Sequence, residues 1–64
     1  MIIHVDDIKG NDVREISEEL YNNTAVMDII RGHNLRGGDA IEAMASDLHT
    51  TGEDIDTDNY LHIS

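Results

Sequence analysis

The 64-residue chain contains no cysteine, proline, tryptophan or phenylalanine. Without cysteine it can form no disulfide and offers no thiolate to a metal ion. Its core must therefore come from Ile, Val, Leu, Met, Ala and the two tyrosines. A chain of this length buries only about 60% of the surface that its unfolded form exposes. We expect one small domain over residues 1–64, of marginal stability, which a homodimer or a binding partner would support.

Basic residues are also scarce, with four Lys and Arg against 14 Asp and Glu, a formal net charge of −10. Such a surface repels nucleic acid and anionic membranes and attracts basic proteins. Lysine occurs once and Asp outnumbers Glu nine to five, a pattern shared with salt-adapted proteins. Solubility and salt adaptation are therefore alternative explanations of the charge. Because self-repulsion destabilises a small domain, we interpret the acidity as functional.

No long apolar run is present. The sequence therefore predicts no membrane-spanning segment. The amino-terminal residues MIIHVDD lack the basic region and the apolar stretch of a signal peptide. We expect a cytoplasmic protein, located in the host cytoplasm if it is viral.

Short apolar runs near both ends predict strands over residues 1–5 and 60–64. After a turn over residues 6–10, Asp12 has the position of a helix N-cap, with Glu15 three residues later. This spacing is typical of a capping box, in which the Glu carboxylate accepts the N–H of the cap residue. The pattern predicts a first helix over residues 12–21.

The triplet Asn22, Asn23 and Thr24 interrupts the helical pattern, because such side chains compete for backbone hydrogen bonds. We expect Asn23 or Thr24 to cap a second helix over residues 25–31, ended by Gly32 in the left-handed conformation. An alternative is one long helix over residues 12–31 in a dimeric coiled coil. The residues on its a and d positions would be Val13, Ile16, Leu20, Asn23, Met27 and Ile30.

A third helix is predicted after a loop over residues 33–38, capped by Asp39 and ended by Gly52. Its apolar stripe consists of Ile41, Met44, Ala45 and Leu48. Residues 53–59 form an acidic connector to the last strand. The resulting order is β-α-α-α-β, an α+β fold with two paired terminal strands beside a helical layer. The alternative is a mainly α helical dimer.

The candidate binding residues are carboxylates concentrated in two segments. They are Asp12, Glu15, Glu18 and Glu19 in the first helix, and Glu53, Asp54, Asp56 and Asp58 in the connector. In an extended connector the alternate carboxylates would project at intervals of about 6.6 Å, close to the spacing of nucleic-acid phosphates. A domain of this length is about 28 Å across, and duplex DNA of that length carries roughly 16 charges. Tyr60 is predicted to add an aromatic anchor.

Other chemistry has weaker support. Asp54, Asp56 and Asp58 resemble the first positions of a calcium loop, but Asn59 replaces its glycine and its final Glu is missing. His49 and Glu53 have the spacing of an acid–base pair, without a nucleophile or a pocket. We therefore expect no enzyme activity, no cofactor and no metal site.

These observations predict a non-enzymatic acidic inhibitor that occludes the nucleic-acid-binding surface of a larger basic protein. In size and composition the chain resembles phage-encoded inhibitors such as anti-CRISPR, anti-restriction and glycosylase-inhibitor proteins, with no shared motif. The alternative is a structural or regulatory subunit that docks through an apolar helix face containing Leu20, Met27 and Ile30. In that case the acidity would serve solubility or salt adaptation.

Overall fold

A computed structural model describes residues 1–33 and 37–61 and shows three α-helices and a two-stranded antiparallel sheet. The helices are α1 (Val13–Tyr21), α2 (Thr24–Gly32) and α3 (Gly37–Thr51), and the strands are β1 (Ile2–Ile3) and β2 (Ile55–Asp56). The predicted α+β class is confirmed, with one strand near each end of the chain.

The second strand lies earlier than the sequence predicted, at residues 55–56 rather than 60–64. Ile3 pairs with Ile55, and both side chains are buried. Ile55 is the apolar residue inside the acidic connector, so it is the residue that can place a strand against the core. The chain then enters a 3-10 helix, Thr57–Tyr60. The remainder of the predicted strand, residues 62–64, lies outside the described residues.

β1 is shorter than predicted because the chain turns immediately after it. A 3-10 helix, Val5–Asp7, follows, and the N–H of Asp7 donates to the carbonyl of His4 at 2.9 Å. Val5 therefore belongs to this turn and not to the strand.

Side-chain caps explain the separation of α1 and α2. Asp12 accepts the N–H of Glu15 at 2.9 Å, and Asn23 accepts the N–H of Val26 at 3.2 Å. The carboxylate of Glu15 reaches back to the N–H of Asn11 at 3.3 Å, one residue earlier than a capping box predicts. The alternative of one long helix over residues 12–31 is wrong, because the chain leaves the helical path where Asn23 caps α2.

The ends of the other helices differ in part from prediction. α3 begins at Gly37, so Asp39 lies in its first turn instead of capping it. A carboxylate in this position still interacts favourably with the helix dipole. Gly52 ends α3 in the left-handed conformation, with φ of 65°. Gly32 is instead the last residue of α2, and the cap that follows, His33, has φ of −105°.

α3 lies at the centre of the core and packs mainly on α1. It contributes the buried side chains Ala40, Ile41, Met44, Ala45 and Leu48. The accessible surface of 4100 Å² agrees with the roughly 4100 Å² that surface scaling gives for a folded monomer of this mass. A single copy of the chain therefore reaches the compactness usual for its size.

Candidate functional site

The four predicted carboxylates of the first helix lie together on its solvent side. Glu15, Glu18 and Glu19 are exposed, and their i,i+3 and i,i+4 spacings from Glu15 place them side by side on the surface of α1. Asp12 is exposed at the amino-terminal end of the same helix. We call Asp12, Glu15, Glu18 and Glu19 the α1 acidic face.

One cation accompanies this face. Arg14 Nε lies 3.6 Å from Glu18 Oε1, and the two side chains are 87% and 65% exposed. An ion pair so open to water holds its partners weakly. The carboxylate of Glu18 therefore stays accessible to a competing cation.

Three carboxylates of the predicted connector have a different environment from those of the α1 acidic face. They bind groups of the first five residues of the chain. Asp54 accepts the N–H of Val5 and hydrogen-bonds to the His4 ring, each at 2.9 Å. The amino group of Met1 lies 3.3 Å from Asp56 Oδ1 and 3.7 Å from Asp58 Oδ1. We call the Met1 amino group, His4, Asp54, Asp56 and Asp58 the terminal cluster.

Hydrogen bonds in the terminal cluster shift the pKa values of His4, Asp54 and Asp56 toward their charged forms. The N–H of Val5, and after it the His4 ring, lower the pKa of Asp54. The N–H of Asp58, with a smaller effect of the amino terminus, lowers the pKa of Asp56. The hydrogen bond to Asp54 and its negative charge raise the pKa of His4. The carboxylates of Asp54 and Asp56 are therefore ionised but already engaged within the chain.

Glu53 is exposed and lies beside the end of α3, where its N–H donates to Thr51 Oγ1 at 3.2 Å. α3 ends at Thr51, so His49 and Glu53 do not form the helical acid–base pair that their spacing suggested.

Tyr60 does not have the position that an aromatic anchor needs. Its side chain is 8% exposed and belongs to the core, and its hydroxyl donates a hydrogen bond to the Asp47 carboxylate. Burial, followed by the hydrogen bond to Asp47, raises the pKa of Tyr60 to about 12. The ring therefore stabilises the fold and is not offered to a partner.

Exposed carboxylates also lie outside the predicted segments. They are Asp6 and Asp7 after β1, Asp28 on α2, and Asp39, Glu42 and Asp47 on α3. The molecule measures 29 × 19 × 17 Å, close to the expected size. Duplex DNA carries about 17 charges over such a length, against 14 Asp and Glu in the chain. Exposed carboxylates therefore lie on all three helices and next to both strands, and the α1 acidic face groups four of them.

A shallow depression beside β1, lined by both apolar and polar side chains, was not predicted from the sequence. It has a volume of about 140 Å³ and is lined by β1 with its flanking residues, Asp7, Ile8, Asn23 and Ala25. Met1 and Ile2, which border it, are 39% and 52% exposed. The sequence did contain one signal for this depression. Ile2 is apolar and alternates with Ile3, so it places an apolar side chain on the other face of β1.

No group of three or more His, Asp or Glu side chains within residues 1–33 and 37–61 is arranged to hold a metal ion. Asp54 and Asp56, at the first positions of the calcium-loop pattern, bind N–H groups of the chain itself. In the part of the chain that the structure describes, no helix combines the length and apolarity needed to cross a bilayer.

No protein-family model, no curated protein and no solved structure matches the chain. Its function is therefore inferred from the chemistry of its surface.

Proposed function

We propose that the protein is a non-enzymatic inhibitor that binds a basic surface of a larger protein and blocks the access of nucleic acid to it. The observation that supports this most is the α1 acidic face. It presents four exposed carboxylates on a helix whose position is fixed by the buried Ile16 and Leu20. A partner therefore meets these charges in a preorganised arrangement.

Charge supplies both attraction and selectivity in this proposal. Lys and Arg side chains that normally hold phosphates would bind carboxylates instead, and Arg can do so through two parallel hydrogen bonds. The net charge of −10 would accelerate the encounter with a basic partner and repel nucleic acid itself. The basic partner is thus a nucleic-acid-binding enzyme, as for the phage-encoded anti-defence inhibitors that the chain resembles in size and composition.

Glu18 and Glu19 of the α1 acidic face are better candidate contacts than the terminal cluster, whereas Asp12 and Glu15 also accept N–H groups at the start of the helix. Asp54 and Asp56 already bind His4, the N–H of Val5 and the amino terminus, so a partner would have to replace these contacts. Glu53 remains an exposed candidate at the end of α3. Tyr60 is left out of the proposed contacts because it is buried.

The alternative of docking through an apolar helix face has less support. Leu20 and Ile30, which would make that contact, are 0% and 2% exposed and pack in the core of a single chain. Met27 is half-buried against the same core. Release of these side chains to a partner would require the domain to open.

The test begins with capture of the partner from a host lysate on the immobilised protein, elution with sodium chloride, and identification by mass spectrometry. The affinity of the purified partner is then measured for the wild type and for the Glu18→Gln, Glu19→Gln double variant. At about 0.2–1 kcal/mol for each exposed charge pair, the double variant should bind about 2- to 30-fold more weakly. Nucleic acid should compete with the wild type for the partner.

The matched control is the Asp39→Asn, Glu42→Gln double variant, which removes two exposed charges from α3. Circular dichroism must show that both variants remain folded. An equal loss of affinity in both would contradict the assignment to α1, because binding would then follow net charge alone. Retention of the partner in 1 M sodium chloride (about 3 Å screening length), or binding that nucleic acid does not displace, would contradict the proposed function.

A further inference from the structure

Within residues 1–33 and 37–61, β2 is the only strand that pairs with β1, so the other edge of β1 is free there. The N–H of Thr57 donates to the carbonyl of Met1 at 2.9 Å, and Ile3 lies opposite Ile55. Hydrogen-bonded and non-hydrogen-bonded pairs alternate in antiparallel sheets. Ile2 and Asp56 are therefore a non-hydrogen-bonded pair. The N–H and C=O groups of Ile2 consequently point away from β2, where another strand can pair with them.

The depression lies on this same side of β1. Its lining combines β1 with Ile8, Asn23 and Ala25, which places it on the edge that β2 does not occupy. Its volume of about 140 Å³ is similar to that of a cavity known to hold one benzene molecule, about 150 Å³. One side chain of the size of Leu or Met therefore fits.

The surroundings of the depression select the charge of its occupant. Asp7 contributes to the lining and Asp6 precedes it, while Asp54 and Asp56 lie along the sheet. Of the basic groups nearby, the amino terminus and His4 are already bound to carboxylates, and Lys9 follows the lining residue Ile8. A second copy of the chain would bring two charges of −10 together. A basic segment instead gains attraction at this position.

We propose that the free edge of β1 binds an extended basic segment of the partner as an added strand, with one apolar side chain of that segment in the depression. Strand addition is an established mode of peptide recognition, in which backbone hydrogen bonds give affinity and side-chain pockets give specificity. The basic nature of the segment rests on the proposed function. The edge and the depression are independent of it.

The probe is the blocked peptide acetyl-Lys-Leu-Lys-Val-Lys-Leu-Lys-amide, titrated into the ¹⁵N-labelled protein and followed by NMR. The amide signals of Ile2, Ile8 and Ala25 should shift together, and the exchange of the Ile2 amide hydrogen should slow. Two control peptides replace Leu and Val by Ser, or Lys by Glu. Each should bind at least 5-fold more weakly than the probe.

The variant Ile2→Thr should weaken the probe at least 5-fold, since it removes apolar surface from the border of the depression. Ile2 is 52% exposed, so the change leaves the core intact. The matched control is Tyr21→Ser, which removes another exposed apolar side chain, 46% exposed, from the end of α1. This control should bind the probe as the wild type does.

The possible failures are distinguishable. Equal binding of the Ser peptide, shifts confined to α1, or a dimer formed through β1 in sedimentation would overturn the strand-addition proposal. A salt-sensitive partner held by the α1 acidic face would in those cases still support the proposed function. Equal binding of the Glu peptide at β1 would overturn the basic character of the segment. Loss of probe binding in Ile2→Thr, with probe binding unchanged in Tyr21→Ser, supports the proposal.

Discussion

Replacement of Tyr21 by Phe leaves Tyr60 as the single tyrosine, since the chain has two. The phenol of Tyr60 should then titrate in the folded protein with a pKa of about 12 instead of 10.0. Burial of the ring disfavours the phenolate, and the hydrogen bond that the hydroxyl donates to Asp47 is lost on ionisation. The carboxylate of Asp47 would in addition repel the phenolate.

The raised pKa determines how stability depends on pH. The folded state holds the phenol proton more tightly than the unfolded state, so this contribution is fully present below pH about 10. It is lost as the pH rises through the folded pKa of about 12. A shift of two units corresponds to at most about 2.7 kcal/mol, and we expect about 1–2 kcal/mol because Asp47 is exposed to water. That is a large part of the roughly 3–10 kcal/mol expected for a domain of this length.

Two measurements check this prediction. Ultraviolet absorbance of the phenolate in Tyr21→Phe gives the titration of Tyr60, and urea unfolding by circular dichroism gives the free energy of unfolding between pH 8 and 12. The same unfolding series on Tyr60→Phe is the control, because that variant has no phenol to ionise at this position. Its stability should fall less steeply above pH 10. A phenolate of Tyr60 that forms near pH 10 while the helical signal is unchanged would refute the reasoning.

Two further predictions concern single residues. A Cβ on Gly10 would lie 2.9 Å from the backbone nitrogen of Ile16, so Gly10→Ala should destabilise the domain by about 1–3 kcal/mol. Gly32→Ala, with open space around it, should be neutral or stabilising by up to about 1 kcal/mol; similar melting temperatures for the two variants would contradict this. The stability gained from the His4–Asp54 contact should be present below pH 6.5 as long as Asp54 is ionised, and it should decline as the pH rises through the raised pKa of His4. The difference in melting temperature between the wild type and His4→Gln should therefore be larger at pH 5.5 than at pH 8.5, and a constant difference would argue against the contact.

The helices could be predicted because their signals are local. Asp12 and Asn23 accept N–H groups three residues ahead, and such spacings are visible in the sequence. The second strand could not, because two residues are too few for an alternating pattern. Its position depends on Ile55 meeting Ile3, far away in the chain. The alternation of residues 60–64 predicted a strand beginning at Tyr60, which instead ends a 3-10 helix.

The candidate site was predictable to a similar extent. The spacing of Glu15, Glu18 and Glu19 on one helix surface follows from helical geometry alone. The hydrogen bond between Asp54 and His4 forms because the end of the fold packs against the first residues of the chain. Composition does not reveal such a contact between distant residues. The burial of Tyr60 has the same kind of cause, because its hydrogen-bond partner Asp47 belongs to another element.

The pairing of β1 with β2 also couples the local unfolding of the two ends of the chain. The carbonyl of Met1 accepts both the N–H and the hydroxyl of Thr57, at 2.9 and 3.1 Å. We therefore expect fraying at either end to loosen the other, because the two strands share these hydrogen bonds. Proteolysis near one terminus would thus begin with an opening event that both termini share.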